Sequence, residues 1–163
     1  MKNVEINCHL TEYESSEELS EEQRNLVQNA RSSVDKAYAP YSNFNVGAAV
    51  LLENGIIVTG NNQENAAYPI GLCAERVAIF SASANYPGVA VKAIAISAKS
   101  DKMQIDKPVP PCGACRQGIA EYEHRYKKSI QIIMSGETGK IIISESIENL
   151  LPYQFNSDDL MTK

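Results

Sequence analysis

Apolar positions along the chain recur with the spacings of helices and of strands. A first helix is predicted over residues 20–38, because apolar residues return there every four positions and Ser20 with Gln23 has the spacing of a capping box. Pro40 follows the helix and ends it. The other predicted helices cover residues 73–84, 113–126 and 146–150.

Short apolar runs between the predicted helices indicate strands. Asn54-Gly55 separates apolar runs at 46–52 and 56–58, an arrangement typical of a tight β-hairpin. The unbroken apolar run at 91–98 predicts a buried strand. Two further strands are predicted at 129–134 and 140–144. Because helices alternate with strands, the sequence predicts a layered α/β domain around a mixed sheet of about five strands, with a parallel crossover between residues 91 and 134.

Length and composition are those of one ordinary globular domain. The chain has 163 residues, of which 44% are hydrophobic and 21% are charged. We predict an N-terminal extension over residues 1–19 and a single domain over residues 20–163. Acidic residues concentrate between positions 12 and 22. We interpret them as a solvated lead-in to the first helix in preference to an acidic interaction tail.

Charge and hydropathy exclude several classes of protein. The net charge is −5 and the sequence has no basic stripe, which argues against binding to long nucleic acid. The sequence also contains no apolar run of membrane-spanning length and no secretory signal at its start. We therefore predict a cytoplasmic protein whose four cysteines are reduced. Cys8 lies in an alternating stretch and is predicted to be buried or on an edge strand.

The other three cysteines form a pattern that indicates a metal site. Cys73 is followed two residues later by Glu75, and Cys112 and Cys115 are three residues apart. Both groups lie where a predicted helix begins, and the partial positive charge of a helix N-terminus stabilises thiolates. If the two helices lie side by side, the three sulfurs can face one Zn²⁺ with Glu75 within one turn of it. Because a zinc site with three protein ligands keeps a position for water, the pattern predicts zinc-activated water and hydrolytic chemistry.

Other interpretations of the cysteines remain open at this point. A closed structural zinc site would take a fourth ligand from Cys8, His9 or His124, although His124 lies nine residues beyond Cys115 and is expected to miss the metal. The C-x-x-C pair could instead be a redox pair. A zinc-stabilised binding module without catalysis is a third interpretation, in which Glu75 would have no role.

Four motifs follow one another along the chain. They are residues 41–49 (YSNFNVGAA), 62–68 (NQENAAY), 73–76 (CAER) and 111–117 (PCGACRQ). In order and spacing they resemble the motifs of the small homotetrameric cytidine deaminases, which are zinc enzymes of the cytidine and deoxycytidylate deaminase family. The resemblance extends over residues 38–155. It implies a three-layer α/β/α sandwich and a role in pyrimidine salvage, through hydrolytic deamination of cytidine and deoxycytidine to uridine and deoxyuridine with release of ammonia.

The resemblance also implies roles at the metal centre. The implied ligands of one Zn²⁺ per subunit are Cys73, Cys112 and Cys115. Glu75 would move protons between water and the pyrimidine, as the non-ligand glutamate of zinc deaminases does. Because three thiolates leave Zn²⁺ with a formal charge of −1, we hypothesise that Arg76 hydrogen-bonds a ligand thiolate, with Arg116 as a weaker candidate. The alternative for Arg76 is an exposed helix arginine paired with an acidic residue.

The remaining implied site residues would bind the nucleoside. Phe44 would pack on the pyrimidine ring, and Asn62 and Glu64 would bind the ribose hydroxyls. Ala66 and Tyr68 match residues that family members lend to the pocket of a neighbouring subunit, which implies a homotetramer with shared active sites. A deaminase of a cytosine nucleoside antibiotic of the blasticidin type remains an alternative, since zinc and a glutamate would serve it equally.

Overall fold

The computed structural model describes residues 1–160, in which strands and helices alternate along the chain. The strands are β1 (Thr11–Tyr13), β2 (Phe44–Leu52), β3 (Ile57–Asn61), β4 (Val91–Ser100), β5 (Gln131–Ser135) and β6 (Ile141–Ser144). The α-helices of this described part are α1 (Glu21–Val34), α2 (Ala74–Asn85) and α3 (Gly113–Tyr126). Residues 161–163, which the predicted domain includes, lie outside the described residues.

The strands form one mixed sheet in the order β1-β6-β5-β4-β2-β3. β4 and β5 are parallel, as predicted for the crossover through α3, and the other neighbouring strands are antiparallel. α1 packs on one face of the sheet, and α2 with α3 packs on the other. The predicted three-layer α/β/α sandwich is therefore confirmed.

The central strand β4 shows why the sequence folds into three layers. Ala93 and Ala95 point toward α1, while Ile94 and Ile96 point toward α2 and α3. Since successive side chains of a strand face opposite sides of the sheet, a strand covered on both sides needs apolar residues at every position. The run at 91–98 has this composition, so the sheet carries a hydrophobic core on each face.

Two glycines allow the helices to approach the sheet closely. A Cβ atom on Gly47 of β2 would overlap the backbone of α1 at Ala30. A Cβ atom on Gly60 of β3 would lie 2.5 Å from the backbone nitrogen of Ala78 and 2.7 Å from the carbonyl oxygen of Ala74, both in α2. Gly60 therefore sets the depth at which α2 lies on the sheet.

The structure corrects several predictions from the sequence. The sheet has six strands within the described residues, because Thr11–Tyr13 pairs with β6. The first helix ends at Val34 and not at 38, because the backbone of Tyr38 instead exchanges hydrogen bonds with the segment that follows β3. The predicted helix at 146–150 is a single 3-10 turn, Ile147–Asn149. Cys8 is exposed and lies before β1, neither buried nor on an edge strand.

The division into an extension at 1–19 and a domain at 20–163 stays a prediction, although part of the extension joins the sheet. Across residues 1–160, no helix has the length and apolar character needed to cross a membrane.

Candidate active site

Two helix N-termini place the thiols and the acid of the predicted metal site. Cys73 is the N-cap residue of α2, and Glu75 lies in the first turn of that helix. Cys112 is the N-cap residue of α3, and Cys115 lies in its first turn. The thiols therefore lie at the positive ends of two helix dipoles, a position that generally favours thiolates.

The three sulfurs are spaced as one tetrahedral metal requires. The Sγ atoms of Cys73 and Cys112 are 3.7 Å apart, and those of Cys112 and Cys115 are 3.5 Å apart. With Zn–S bonds of about 2.3 Å, two sulfurs of a tetrahedral site lie about 3.8 Å apart. Within residues 1–160, these cysteines form the group whose metal-ligating atoms all lie within 4.8 Å of one another. The donor set and its geometry fit Zn²⁺.

The thiols of Cys73 and Cys115 have pKa values that are shifted in opposite directions. The pKa of Cys73 is lowered to about 5, first because its sulfur accepts a hydrogen bond from the Cys115 thiol and also because Arg76 lies beside it. The pKa of the Cys115 thiol is raised, since it donates to the Cys73 sulfur and is itself buried. Binding of one divalent cation to all three sulfurs would release the remaining protons.

Arg76 contacts the thiol cluster from the side of α2. One guanidinium nitrogen lies 3.6 Å from the Cys73 Sγ and 3.4 Å from the carbonyl oxygen of Gly71. Arg116 contacts backbone instead, since its guanidinium donates to the carbonyl oxygens of Pro111 and Leu150. Of the two arginines considered from the sequence, the structure thus places Arg76 against a thiol.

Glu75 is buried beside the thiols. Its residue surface is only 4% exposed, and burial raises the pKa of its carboxyl group, with the negative charge of Cys73 acting in the same direction. The carboxyl group therefore holds a proton more firmly than an exposed glutamate would. An acid in such an environment can take up and release a proton at a reacting group.

A cavity of about 720 Å³ opens above this cluster. The predicted site residues that line it are Phe44, Asn62, Glu64, Tyr68, Cys73, Glu75, Arg76 and Cys112. Cys115 is fully buried and does not line the cavity, although its sulfur belongs to the same thiol cluster. Ala66 lies on the exposed loop after β3, outside the lining of this cavity. The structure thus brings the predicted residues together around one cleft, apart from Ala66.

Asn62 and Glu64 are held by the backbone of the cavity rim. The Asn62 side chain accepts a hydrogen bond of 2.8 Å from the Val46 nitrogen and donates one of 2.9 Å to the Phe44 oxygen. The Glu64 carboxylate accepts hydrogen bonds of 2.9 Å from the Tyr41 nitrogen and 3.3 Å from the Ser42 nitrogen. The Ser42 side chain and these N–H groups lower the pKa of Glu64, so its carboxylate stays ionised.

Several cavity residues were not singled out from the sequence. The N–H groups of Tyr41 and Ser42 fix Glu64, and only the motif at 41–49 pointed to this segment. Apolar walls are added by Ile96 at β4 and by Val109 and Pro110 in the loop before α3. Their contribution depends on how that loop folds over the sheet, and the sequence pattern carries no signal for it.

Within residues 1–160, the three candidates for a fourth ligand lie outside the cluster of ligating atoms that Cys73, Cys112 and Cys115 form. Cys8 is exposed ahead of β1. The backbone nitrogen of His9 donates to the Asn149 side chain, and the His124 ring lies 3.4 Å from a carboxylate oxygen of Asp158. Three thiols, a buried acid and an adjoining cavity are the elements of a metal centre that can admit water.

Comparisons with known proteins agree on one family. Residues 20–130 match the family described as the cytidine and deoxycytidylate deaminase zinc-binding region. The chain is 39% identical over 135 residues to the cytidine deaminase of Halalkalibacterium halodurans, covering 83% of this chain and 95% of that one. It is 40% identical over 136 residues to the cytidine deaminase of Sporosarcina psychrophila, covering 83% and 92% of the two chains. The structure of cytidine deaminase from Burkholderia pseudomallei matches with a TM-score of 0.70 and 39% identity, covering 80% of this chain and 97% of that one.

The matched region contains both helix N-termini of the site. The clustered thiols and Glu75 all lie within residues 20–130, and a zinc-binding region with this donor set makes Zn²⁺ the cofactor. The matched structure is also similar over most of its length, which agrees with the observed three-layer fold. This chain is therefore an enzyme of the cytidine and deoxycytidylate deaminase family.

Proposed function

We propose that this protein catalyses the hydrolytic deamination of cytidine and deoxycytidine to uridine and deoxyuridine, with release of ammonia, in pyrimidine salvage. The observation that carries the proposal is the buried carboxylate of Glu75 beside three clustered thiols at the base of a cavity large enough for a nucleoside. A structural zinc site has no use for such an acid, whereas a hydrolytic site requires one.

Each group at the metal centre has a defined task in this proposal. One Zn²⁺ per subunit would be held by Cys73, Cys112 and Cys115, and when bound it supplies the Lewis acid that activates a water molecule. Glu75 would carry one proton from the attacking water to N3 of the pyrimidine as the C4–O bond forms. It would then carry the second proton of the water to the amino group, so that the C4–N bond breaks and ammonia leaves.

Arg76 would tune the charge of the centre. Three thiolates and one Zn²⁺ carry a formal charge of −1, which works against ionisation of the water. The guanidinium that lies 3.6 Å from the Cys73 sulfur supplies a compensating positive charge and a hydrogen bond. We assign Arg76 this role because its contact is with a thiol and not with an acidic residue.

The nucleoside would lie along the rim of the cavity. Phe44, Asn62 and Glu64 all line the cavity. Phe44 would offer an apolar ring surface to the pyrimidine, and Asn62 and Glu64 would face the ribose. Because its lowered pKa keeps Glu64 ionised, its carboxylate can accept a hydrogen bond from the 3′-hydroxyl, which ribose and deoxyribose share. Both nucleosides therefore fit the proposal.

The assembly that we propose is a cytoplasmic homotetramer with shared active sites. Tyr68 lines the cavity and is nonetheless 74% exposed, and Ile70 on the same 3-10 turn is 66% exposed. Ala66 lies on the same exposed loop. Apolar side chains exposed around the mouth of a site are typical of a surface that a second subunit covers.

An ammonia-release assay tests the function. The wild-type protein and Glu75→Gln are loaded with zinc, their zinc content is measured, and each is given cytidine, deoxycytidine or blasticidin S. We expect the wild type to turn over both nucleosides and Glu75→Gln to retain zinc while losing activity by about 10²–10⁴-fold. Glu121→Gln is the matched control, because Glu121 is an exposed residue of α3.

Other outcomes would replace the proposal. Negligible turnover of cytidine together with turnover of blasticidin S would identify the antibiotic-nucleoside deaminase. If both proteins hold zinc and neither releases ammonia from any of the three compounds, the chain is a zinc-stabilised binding module.

A further inference from the structure

A segment that follows β6 lies along α3 and is bound by side chains of that helix. We call residues 146–158 the strap. The helix side chains that bind it form two pairs seven residues apart, which places them on one face about two turns from each other. These side chains are Arg116, Gln117, Glu123 and His124.

Arg116 joins the strap to the loop that carries a thiol. Its Nε donates a hydrogen bond of 2.8 Å to the carbonyl oxygen of Pro111, and another guanidinium nitrogen donates one of 2.7 Å to the carbonyl oxygen of Leu150. Pro111 immediately precedes Cys112, so its carbonyl orientation fixes the peptide plane that leads into the N-cap of α3. The planar guanidinium can hold both carbonyls at once because its donors are in fixed directions.

Glu123 binds the beginning of the strap at the other end of α3. Its carboxylate accepts hydrogen bonds from the Ser146 hydroxyl at 2.9 Å and the Ile147 nitrogen at 3.0 Å. It also accepts a bond of 2.6 Å from the nitrogen of Ile130, which immediately precedes β5. Glu123 is only 8% exposed, and it ties α3 to both the sheet and the strap.

The strap runs along α3 in one direction and then returns. It passes from Glu123 to Arg116, reverses near Tyr153, whose φ is 60°, and comes back to the C-terminal half of the helix. On the return, Gln117 donates to the carbonyl oxygen of Phe155 at 2.8 Å, and His124 contacts Asp158. Each half of α3 thus has two side chains that contact the strap.

We propose that the strap fixes the position of α3 and thereby the positions of the Cys112 and Cys115 sulfurs, with Arg116 as the principal positioning residue. The inference rests on the proposed role of these cysteines as zinc ligands. Zinc binding requires the sulfurs of α3 to meet the sulfur of α2 within a few tenths of an ångström. A helix that is free to slide or tilt would meet this condition for only part of the time, and zinc affinity would fall.

Zinc affinity measured by competition with a chelator tests this positioning role in the full-length protein. Arg116→Met keeps an apolar stem and removes both carbonyl contacts. Its matched control is Arg125→Met, which removes from the same helix a guanidinium that lies over the Tyr126 ring. We expect the dissociation constant for zinc to rise by about 10–100-fold in Arg116→Met and to stay at the wild-type value in Arg125→Met. The absorption spectrum of the Co²⁺-loaded protein should also change in Arg116→Met alone, because it reports ligand geometry.

The same measurements would overturn the inference. If folded Arg116→Met, checked by circular dichroism, matches Arg125→Met in zinc affinity and in Co²⁺ spectrum, the strap has no positioning role. If Arg116→Met does not fold, Arg116→Lys decides the question, since lysine keeps the charge but cannot hold both carbonyls in a fork. Neither readout uses cytidine, so a failure of the proposed function would show in the ammonia assay independently.

Discussion

The close approach of α2 to Gly60 leads to a prediction that joins the packing of the sheet to the metal site. In Gly60→Ala, the new methyl group would lie 2.5 Å from the Ala78 nitrogen. Because the obstacle is helix backbone and not the end of a flexible side chain, α2 itself must move. α2 carries Cys73 and Glu75, whereas the other two thiols belong to α3, so this movement changes the geometry of the centre.

The size of the effect follows from the distance. Restoring an ordinary contact of 3.4 Å requires a displacement of about 0.9 Å. Overpacking of this kind costs about 1–3 kcal/mol. For a chain of this length the melting temperature should fall by about 2–12 °C. A displacement near 1 Å at reacting groups can lower turnover by roughly 100-fold, so kcat/KM for cytidine should fall more than stability alone explains.

Gly47→Ala is the matched control for this experiment. It introduces the same methyl group on β2, where the obstacle is α1 on the opposite face of the sheet. Both variants would be melted under circular dichroism and then assayed for zinc affinity and cytidine turnover well below their melting temperatures. We expect both to lose stability and Gly60→Ala to lose much more zinc affinity and turnover. Equal losses of function in the two variants would refute the idea that the depth of α2 sets the geometry of the centre.

Two further predictions concern charged groups. Arg76→Met should weaken zinc binding by about 10–100-fold in chelator competition, because the ligand thiolates lose a neighbouring cation; unchanged zinc affinity and turnover would contradict the charge-tuning role. Burial raises the pKa of Glu123 above its ordinary value of 4.5, so the folded state binds this proton more tightly than the unfolded state does. The free energy of unfolding of the wild type therefore falls as pH rises from about 4.5 through the raised pKa, because Glu123 must then release its proton. Glu123→Gln has no such proton to release, so its stability should increase relative to that of the wild type across this pH range. Urea unfolding over a pH series measures this, and a stability difference that is independent of pH would rule it out.

The sequence predicted the elements that carry the metal site more accurately than the periphery of the fold. α2 and α3 begin within one residue of their predicted starts, because Cys73 and Cys112 stand directly at the caps. The N-terminal strand was missed, since Thr11–Tyr13 is short and polar and exists through pairing with β6 and through ion pairs with Lys140. The first helix was extended too far because the partners of the Tyr38 backbone lie distant in sequence.

The candidate site divides in the same way. The spacing of Cys73, Cys112 and Cys115 was sufficient to place three thiols around one point, because helix starts constrain where such side chains lie. The rim residues could be predicted only from the family resemblance, because Asn62 and Glu64 are oriented by backbone groups of β2 and of the loop before it. Contacts of this kind depend on the folded path of a loop and leave no periodic signal in the sequence.

The three-residue strand at the margin of the sheet has a practical consequence. If the chain began at Ser20, β6 would become outermost and would present free amides and carbonyls beside Ile141, Ile142 and Ile143. Unpaired edge strands rich in β-branched residues pair with strands of other molecules, whereas a short edge strand with acidic and basic side chains disfavours such pairing. Shortened versions of this protein should therefore retain Thr11–Tyr13 if they are to remain dispersed at high concentration.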